Sequence, residues 1–345
     1  MITECPAPRP ENERVLLGHG AGGRLTAELL EHMVLPAFGG EDGPLEDAAL
    51  LPGSGELVMS TDGFVVSPLF FPGGDIGSLA VHGTVNDLAM RGAEPIALSV
   101  ALILEEGLEL ERLEAVLRSL GKAAQEAGIP VITGDTKVVG RGAADQVFIT
   151  TTGIGRRLPG LSVSAAGARP GDAVLLSGPI GLHGTAVLST REGLGFEADI
   201  ASDTRPLHRA VAALAPLGDR IHVLRDPTRG GLAAALNEIA RDSGVAVDID
   251  EGAVPVPEPV AAACDILGLD PLHVANEGCM VVLVAADAAD EALAALRSLP
   301  EGSGAVRIGE VLPADGHPGR VVMRTVVGAR RVVDMPLGEQ LPRIC

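Results

Sequence analysis

A stretch rich in glycine and proline, with Pro159, Gly160, Gly167 and Pro170 inside residues 158–170, interrupts the chain near its middle, and strand and helix signals alternate on both sides of it. Before it, runs of Val, Ile, Leu and Thr predict strands over 56–61, 96–104 and 145–154. Helices are predicted over 76–91 and 109–127, stopped by Gly92 and Gly128. After it, strands are predicted at 173–177, 220–224, 245–250, 279–286, 305–311 and 320–334, and helices near 181–191, 205–215, 229–242 and 287–299. Such alternation buries sheets under helices, so the chain reads as two α/β (α+β) units. The expected division is a glycine-rich segment at 1–45, a first domain at 46–157, a linker at 158–170, a second domain at 171–335 and a tail at 336–345. With 345 residues, each unit is large enough to enclose a core.

Charge narrows the partners. A net charge of −20 argues against nucleic acid and anionic membranes, which both need basic surface. Trp and Tyr are absent, which removes the usual platforms for stacking bases. No uncharged apolar run approaches the ~20 residues of a membrane span. The start, Met1 to Pro6, lacks the basic and apolar parts of a signal peptide, so a soluble, cytoplasmic protein is expected.

Four cysteines are present, Cys5, Cys264, Cys279 and Cys345, and none forms a Cys-x-x-Cys pair, so reduced thiols are expected. Cys345 follows Pro342-Arg343-Ile344 on a tail expected to be mobile, where a thiol offers nucleophilicity and reach rather than packing. Cys264 and Cys279 read as small buried hydrophobes. The bases carry a second signal: there are two lysines, Lys122 and Lys137, against twenty-four arginines. Lys122 sits on a predicted surface helix. Lys137, inside Thr133-Gly134-Asp135-Thr136-Lys137, points to ammonium chemistry that a guanidinium cannot perform.

Acidic residues cluster at predicted strand ends and loops: Asp47, Asp62 before Gly63, Asp135 after Gly134, and Asp226 in Arg225-Asp226-Pro227. Asp87 lies within an otherwise apolar helix pattern, where a carboxylate needs a partner or a metal. Carboxylates gathered at one end of a sheet suit Mg²⁺, a hard ion that bridges phosphates; each alone also suits a turn or helix cap. Gly230 and Gly231 open a predicted helix flanked by Arg225 and Arg229, which makes a phosphate candidate. Asn276-Glu277-Gly278 puts a carboxylate at the mouth of an apolar strand. No Walker-type or kinase-like set is present, so use of ATP requires another architecture.

The ordered set of motifs resembles the HypE family of hydrogenase maturation proteins, within the PurM/AIRS-like ATP-binding superfamily. It comprises Gly18–Gly23, Ser60–Gly63, Gly73–Gly77, Gly83–Leu88, Thr133–Val138, Arg225–Leu232, Asn276–Gly278 and Pro342–Cys345. The resemblance implies a two-domain fold whose N-terminal domains pair in a homodimer. It implies ATP-dependent dehydration of an S-carbamoyl group on Cys345 to a thiocyanate, supplying cyanide for the iron of [NiFe]-hydrogenase. A HypF-like carbamoyltransferase would load the sulfur, and a HypC–HypD-like scaffold would receive the product. Asp47, Asp62, Asp87, Asp135 and Asp226 would hold Mg²⁺, and Gly22, Gly23, Asp62, Asn86, Asp87, Asp135, Thr136, Arg229, Gly230 and Gly231 would bind ATP. Cys345, Glu277 and Lys137 would be catalytic, with base and charge-neutralising roles exchangeable between Glu277 and Lys137. The competing readings are another ATP-dependent superfamily enzyme acting on a diffusible substrate, and a non-catalytic scaffold.

Overall fold

The computed structural model describes residues 14–15, 29–37, 56–191, 200–228, 230–314, 319–334 and 344–345. In the first half, the strands are β1 (Leu57–Phe64), the short pair β2 (Phe70–Phe71) and β3 (Gly74–Asp75), β4 (Ala93–Glu105), β5 (Val131–Val139) and β6 (Val147–Arg157). Four of them form one sheet in the order β1-β6-β4-β5, antiparallel except for the parallel β4–β5 pair.

Two helices cover one face of this sheet, α1 (Ile76–Met90) and α2 (Leu110–Ala127). Asp75 starts α1 by accepting from the backbone N–H groups of Gly77 and Ser78 at 2.7 and 3.0 Å, with Ser78 reciprocating as a capping box. α1 is buried on nearly every side because the sheet, α2 and the second half all touch it. α2 is different: Leu110, Leu113, Val116, Leu117, Leu120 and Ala124 make one buried stripe at helical spacing, and Gly128 closes it in the left-handed region. The sheet's other face carries apolar side chains into the open, among them Leu57 and Met59, which are 52% and 70% exposed.

The second half builds a seven-stranded sheet from β7 (Ala173–Leu176), β8 (Ile221–Arg225), β9 (Ala246–Asp250), β10 (Val281–Val284), β11 (Val306–Leu312), β12 (Val321–Arg324) and β13 (Arg330–Val332), in the order β13-β12-β9-β11-β7-β10-β8. Its helices are α3 (Leu182–Arg191), α4 (His208–Leu214), α5 (Gly231–Ser243), α6 (Glu258–Leu267) and α7 (Ala289–Arg297). β7 and β10 are apolar at every position because both sheet faces are covered. Val174, Leu176, Val281 and Leu283 enter the core under α5, while Ala173, Leu175, Val282 and Val284 enter the core under α4 and α7.

Three local expectations change. Residues 133–137, expected as a loop, lie within β5, where β4 supplies the backbone partners. The segment expected as one strand over 320–334 is a hairpin of β12 and β13. Helix α6 lies where no element was expected. Among the described residues, no helix is long and apolar enough to cross a membrane.

Candidate active site

Strand alternation decides which acids can meet. Ser60 and Asp62 of β1 point to the helix-covered face. There the Ser60 hydroxyl donates to Asp87 Oδ2 of α1 at 2.6 Å, and Asp62, which accepts from the Gly63 N–H at 2.7 Å, lies beside Gly83 of the same helix. Asp87, the carboxylate inside an apolar helix, thus has its first partner.

The second half adds two more acids. β8 and β10 are antiparallel neighbours, with Arg225 opposite Val281, so Asp226 leaves β8 at the same end where Glu277 approaches β10. Burial pushes the Asp226 carboxyl up to about 7, helped by the negative charges of Asp87 and Asp62. Glu277, 3% exposed, is raised well above the usual carboxylate range by burial and then by Asp226, Asp203, Asp62 and Asp87. Those mutual repulsions make one acidic group out of residues from both halves.

The backbone around Glu277 is held from several directions. Asp203 is buried and accepts from the N–H groups of Glu277 and Gly278 at 3.1 and 3.0 Å. Only glycine fits at 278, since a Cβ there would stand 1.8 Å from the Asp203 carbonyl oxygen. The Asn276 amide accepts from Gly181 N–H at 2.6 Å and donates to the Pro227 and Val274 carbonyls, tying the two acid-bearing loops together.

Asn86 was expected among the ATP ligands, yet it has a different task. It is 1% exposed, donates to the Arg205 and Glu277 carbonyls, and accepts from Leu207 N–H, so its amide is spent on backbone. Asp135 is also not brought to the acidic group. Asp62, Thr151, Val100 and Gly134 lie in one row across the sheet, so β5 stands three strand spacings from β1, roughly 14 Å. Asp135 and Lys137 project from the opposite, open face and pair with each other at 2.9 Å. Lys137 lowers the Asp135 pKa through that bond. Thr136, between them, is turned to the buried face and away from both. One ion cannot be held by Asp62 and Asp135 of the same chain.

At the expected phosphate segment, Gly230 (φ 75°) caps α5, and a Cβ on Gly231 would lie 2.5 Å from the Leu272 carbonyl oxygen, so close packing demands that glycine. Arg225 is paired with Glu238 of α5. Gly22, Gly23, Asp47 and Arg229, with the Gly18–Gly23 motif and Cys5, lie outside the described residues. Cys264 and Cys279 are each 1% exposed, and burial pushes the Cys279 thiol up to about 12, which makes it inert.

The end of the tail is seated. Ile344 is 2% exposed within the apolar cluster of the first half, and Cys345 packs against that cluster. Val65, one residue beyond Phe64 of β1, donates its N–H to the Cys345 backbone oxygen at 3.1 Å, and His183 of α3 bonds the Ile344 carbonyl. The roles of His183 and Asp203 escaped the sequence reading, because a lone His among glycines and an Asp in a polar run carry no pattern.

Among the described residues, no group of three or more His, Cys, Asp or Glu side chains is placed to hold a metal alone. Asp62, Asp87 and Asp226 nevertheless fit a cation that arrives with oxygen ligands of its own, because positive charge offsets the burial cost and the repulsion from Asp87 and Asp62 that together lift Asp226.

The family profile for the AIR synthase related protein, N-terminal domain, matches residues 45–157, and that for its C-terminal domain matches residues 169–321. The carbamoyl dehydratase HypE of Cupriavidus necator is 54% identical over 96% of this chain and 95% of its own length. The chain belongs to the HypE family. The Escherichia coli HypE is 42% identical over 96% of this chain and 99% of its own length. A HypE crystal structure in complex with ATP superposes with a TM-score of 0.91 at 52% identity, covering 96% of this chain and 99% of that one. A HypE–HypF complex matches at TM-score 0.79 and 47% identity, over 91% of this chain and all of that one.

Proposed function

We propose that this HypE-family chain is an ATP-dependent carbamoyl dehydratase that turns a carbamoyl group on the Cys345 sulfur into a thiocyanate, for the cyanide ligands of a [NiFe]-hydrogenase iron. The observation that carries this reading is the seat of Ile344 and Cys345 next to the Glu277 loop. Gly184, adjacent to His183, donates its N–H to the Ala275 carbonyl at 3.0 Å, two residues before Glu277.

The net change removes the carbamoyl oxygen and both hydrogens of its nitrogen, so the carbon–nitrogen bond becomes triple. The oxygen is a poor leaving group, and bound ATP supplies the phosphoryl group with which it departs. Asp62, Asp87 and Asp226, with Asp47, would hold the Mg²⁺ that accompanies the nucleotide. Gly22, Gly23, Arg229, Gly230 and Gly231 would cradle its phosphates. Glu277 takes the nitrogen proton: burial and the neighbouring acids raise its carboxyl well above the usual carboxylate range, which makes it a stronger base than an exposed carboxylate.

Lys137 and Asp135 lie too far from Asp62 within one chain, so we assign them to the site of a second copy. The apolar open face of the first sheet, with Leu57, Met59, Ile103 and Ile132 exposed, supports a homodimer through this surface. Met59→Glu, a charge placed in that face, is expected to yield a monomer by analytical ultracentrifugation. A HypF-like transferase would load Cys345 and a HypC–HypD-like scaffold would accept the cyanide, all in the cytoplasm.

Mass spectrometry of the Cys345 peptide tests the reaction. The protein is incubated with carbamoyl phosphate, Mg-ATP and the cognate carbamoyltransferase. A carbamoyl adduct that loses water only with ATP is expected. An unmodified Cys345 beside rapid ATP turnover on a small substrate would overturn the proposal and point to a kinase or ligase of the same fold.

A further inference from the structure

His183, the second residue of α3, has no exposed surface, and its bonds leave it no choice of tautomer. Nε2 lies 2.9 Å from the Ile344 carbonyl oxygen, which can only accept, so Nε2 carries the proton and donates. Nδ1 is then bare and accepts from the Ser202 hydroxyl at 2.8 Å. Ser202 in turn accepts from Thr204 N–H at 3.1 Å, and its own N–H donates to the Pro72 carbonyl at 2.8 Å. Phe71 meets the imidazole edge-on, with ring centroids 5.3 Å apart. The ring is therefore held by the 200–207 segment and by the β2–β3 turn, with its single N–H aimed at the tail.

The seat has another wall. Val65 N–H binds the Cys345 backbone oxygen, and the Ile344 side chain is buried in a cluster that also contains Val187 and Ala275. Burial keeps the imidazole neutral by lowering its pKa to about 4, which suits a fixed donor rather than a proton carrier.

We propose that His183 is a positioning residue that holds the Ile344–Cys345 peptide in its inward seat, and so sets the share of molecules that present the Cys345 sulfur to the Glu277 site rather than to a loading partner. The consequence for catalysis rests on Cys345 being the group-carrying thiol; the seating itself does not. Dehydration uses the seated peptide, and loading by a partner uses the released one. A weakened bond therefore slows the first and leaves the second undiminished.

The test measures Cys345 alkylation in the full-length protein by pulsed N-ethylmaleimide and peptide mass spectrometry, with the buried Cys264 and Cys279 peptides as controls for folding. His183→Ala is expected to raise the Cys345 rate about five- to tenfold, the size of one lost net hydrogen bond. His183→Gln, whose amide N–H reaches toward the same carbonyl, is expected to restore most of the protection. Ser202→Ala, which frees the tautomer, should fall between. If His183→Ala exposes Cys279, the Gln and Ser202 variants carry the test. An unchanged Cys345 rate with Cys279 still protected overturns the proposal, as does a Gln variant no better than Ala. In parallel, single-turnover dehydration of preloaded protein should fall across the same variants as Cys345 alkylation rises, while ATP affinity stays constant. Altered alkylation in a protein that never forms thiocyanate would uphold the seat and reject the dehydratase reading instead.

Discussion

Asp226 and Glu277, enclosed where the two halves of the chain meet, and Asp135 with Lys137, exposed within the single chain on the edge strand β5, are acidic sites of opposite character. Burial and mutual repulsion raise the first pair, whereas the lysine ammonium lowers Asp135. The enclosed acids hold their protons more tightly than ordinary carboxylates and are suited to receiving a cation. The open pair, 2.9 Å apart and largely exposed, contributes at most about 1 kcal/mol to folding. Chemical identity is shared; enclosure decides what each carboxylate can do.

The largest expected effect is at Glu277. Glu277→Gln keeps the shape and removes the base, so dehydration of preloaded Cys345 should drop about 10²- to 10⁴-fold while loading persists, both read by mass spectrometry of the tail peptide. Full dehydration in this variant would move the base elsewhere, with Lys137 next in line. Lys137→Ala should lower dehydration about 10²-fold, as for loss of one charged donor. Its melting temperature should stay close to that of the parent, because the pair it leaves is exposed. A large loss of stability would contradict the contrast between the two sites.

A subtler effect is at Asp226, where function opposes stability. Its folded pKa, about 7, lies above the reference 3.8, so its favourable contribution is complete below pH 3.8 and is lost as pH rises through about 7. Ionised Asp226 then strains the apo protein. Asp226→Asn should raise the melting temperature at pH 8, by on the order of 2 kcal/mol of stability, and the gain should vanish near pH 4. The same variant should lose Mg-ATP-dependent dehydration. A variant less stable than the parent at pH 8 would show that the neighbouring charges are already compensated.

Much of the local structure was legible. The α2 stripe, its Gly128 stop and the apolar runs of β7 and β10 follow from periodicity and from the covering of one or both faces. β5 was not, because Thr133, Gly134 and the charged Asp135 and Lys137 hide the strand pattern of this edge. α6 follows Pro255 and Pro257, which read as loop. At the site, the acids at 62, 87 and 226 and the base at 277 were singled out as types, but their assembly was not visible. Asp226 and Glu277 meet only because β8 and β10 pair, and Asp135 is excluded only because alternation and strand order put it on another face and another edge.

By itself, then, the sequence determined the alternating elements, the family motifs and the residue types available for chemistry, since these depend on neighbours a few positions apart. Tertiary structure alone decided which carboxylates share a site, which are raised or lowered, that Asn86 serves backbone rather than ligand, and that His183 reaches Ile344. Burial and electrostatic coupling are set by groups distant along the chain, and no local pattern contains them.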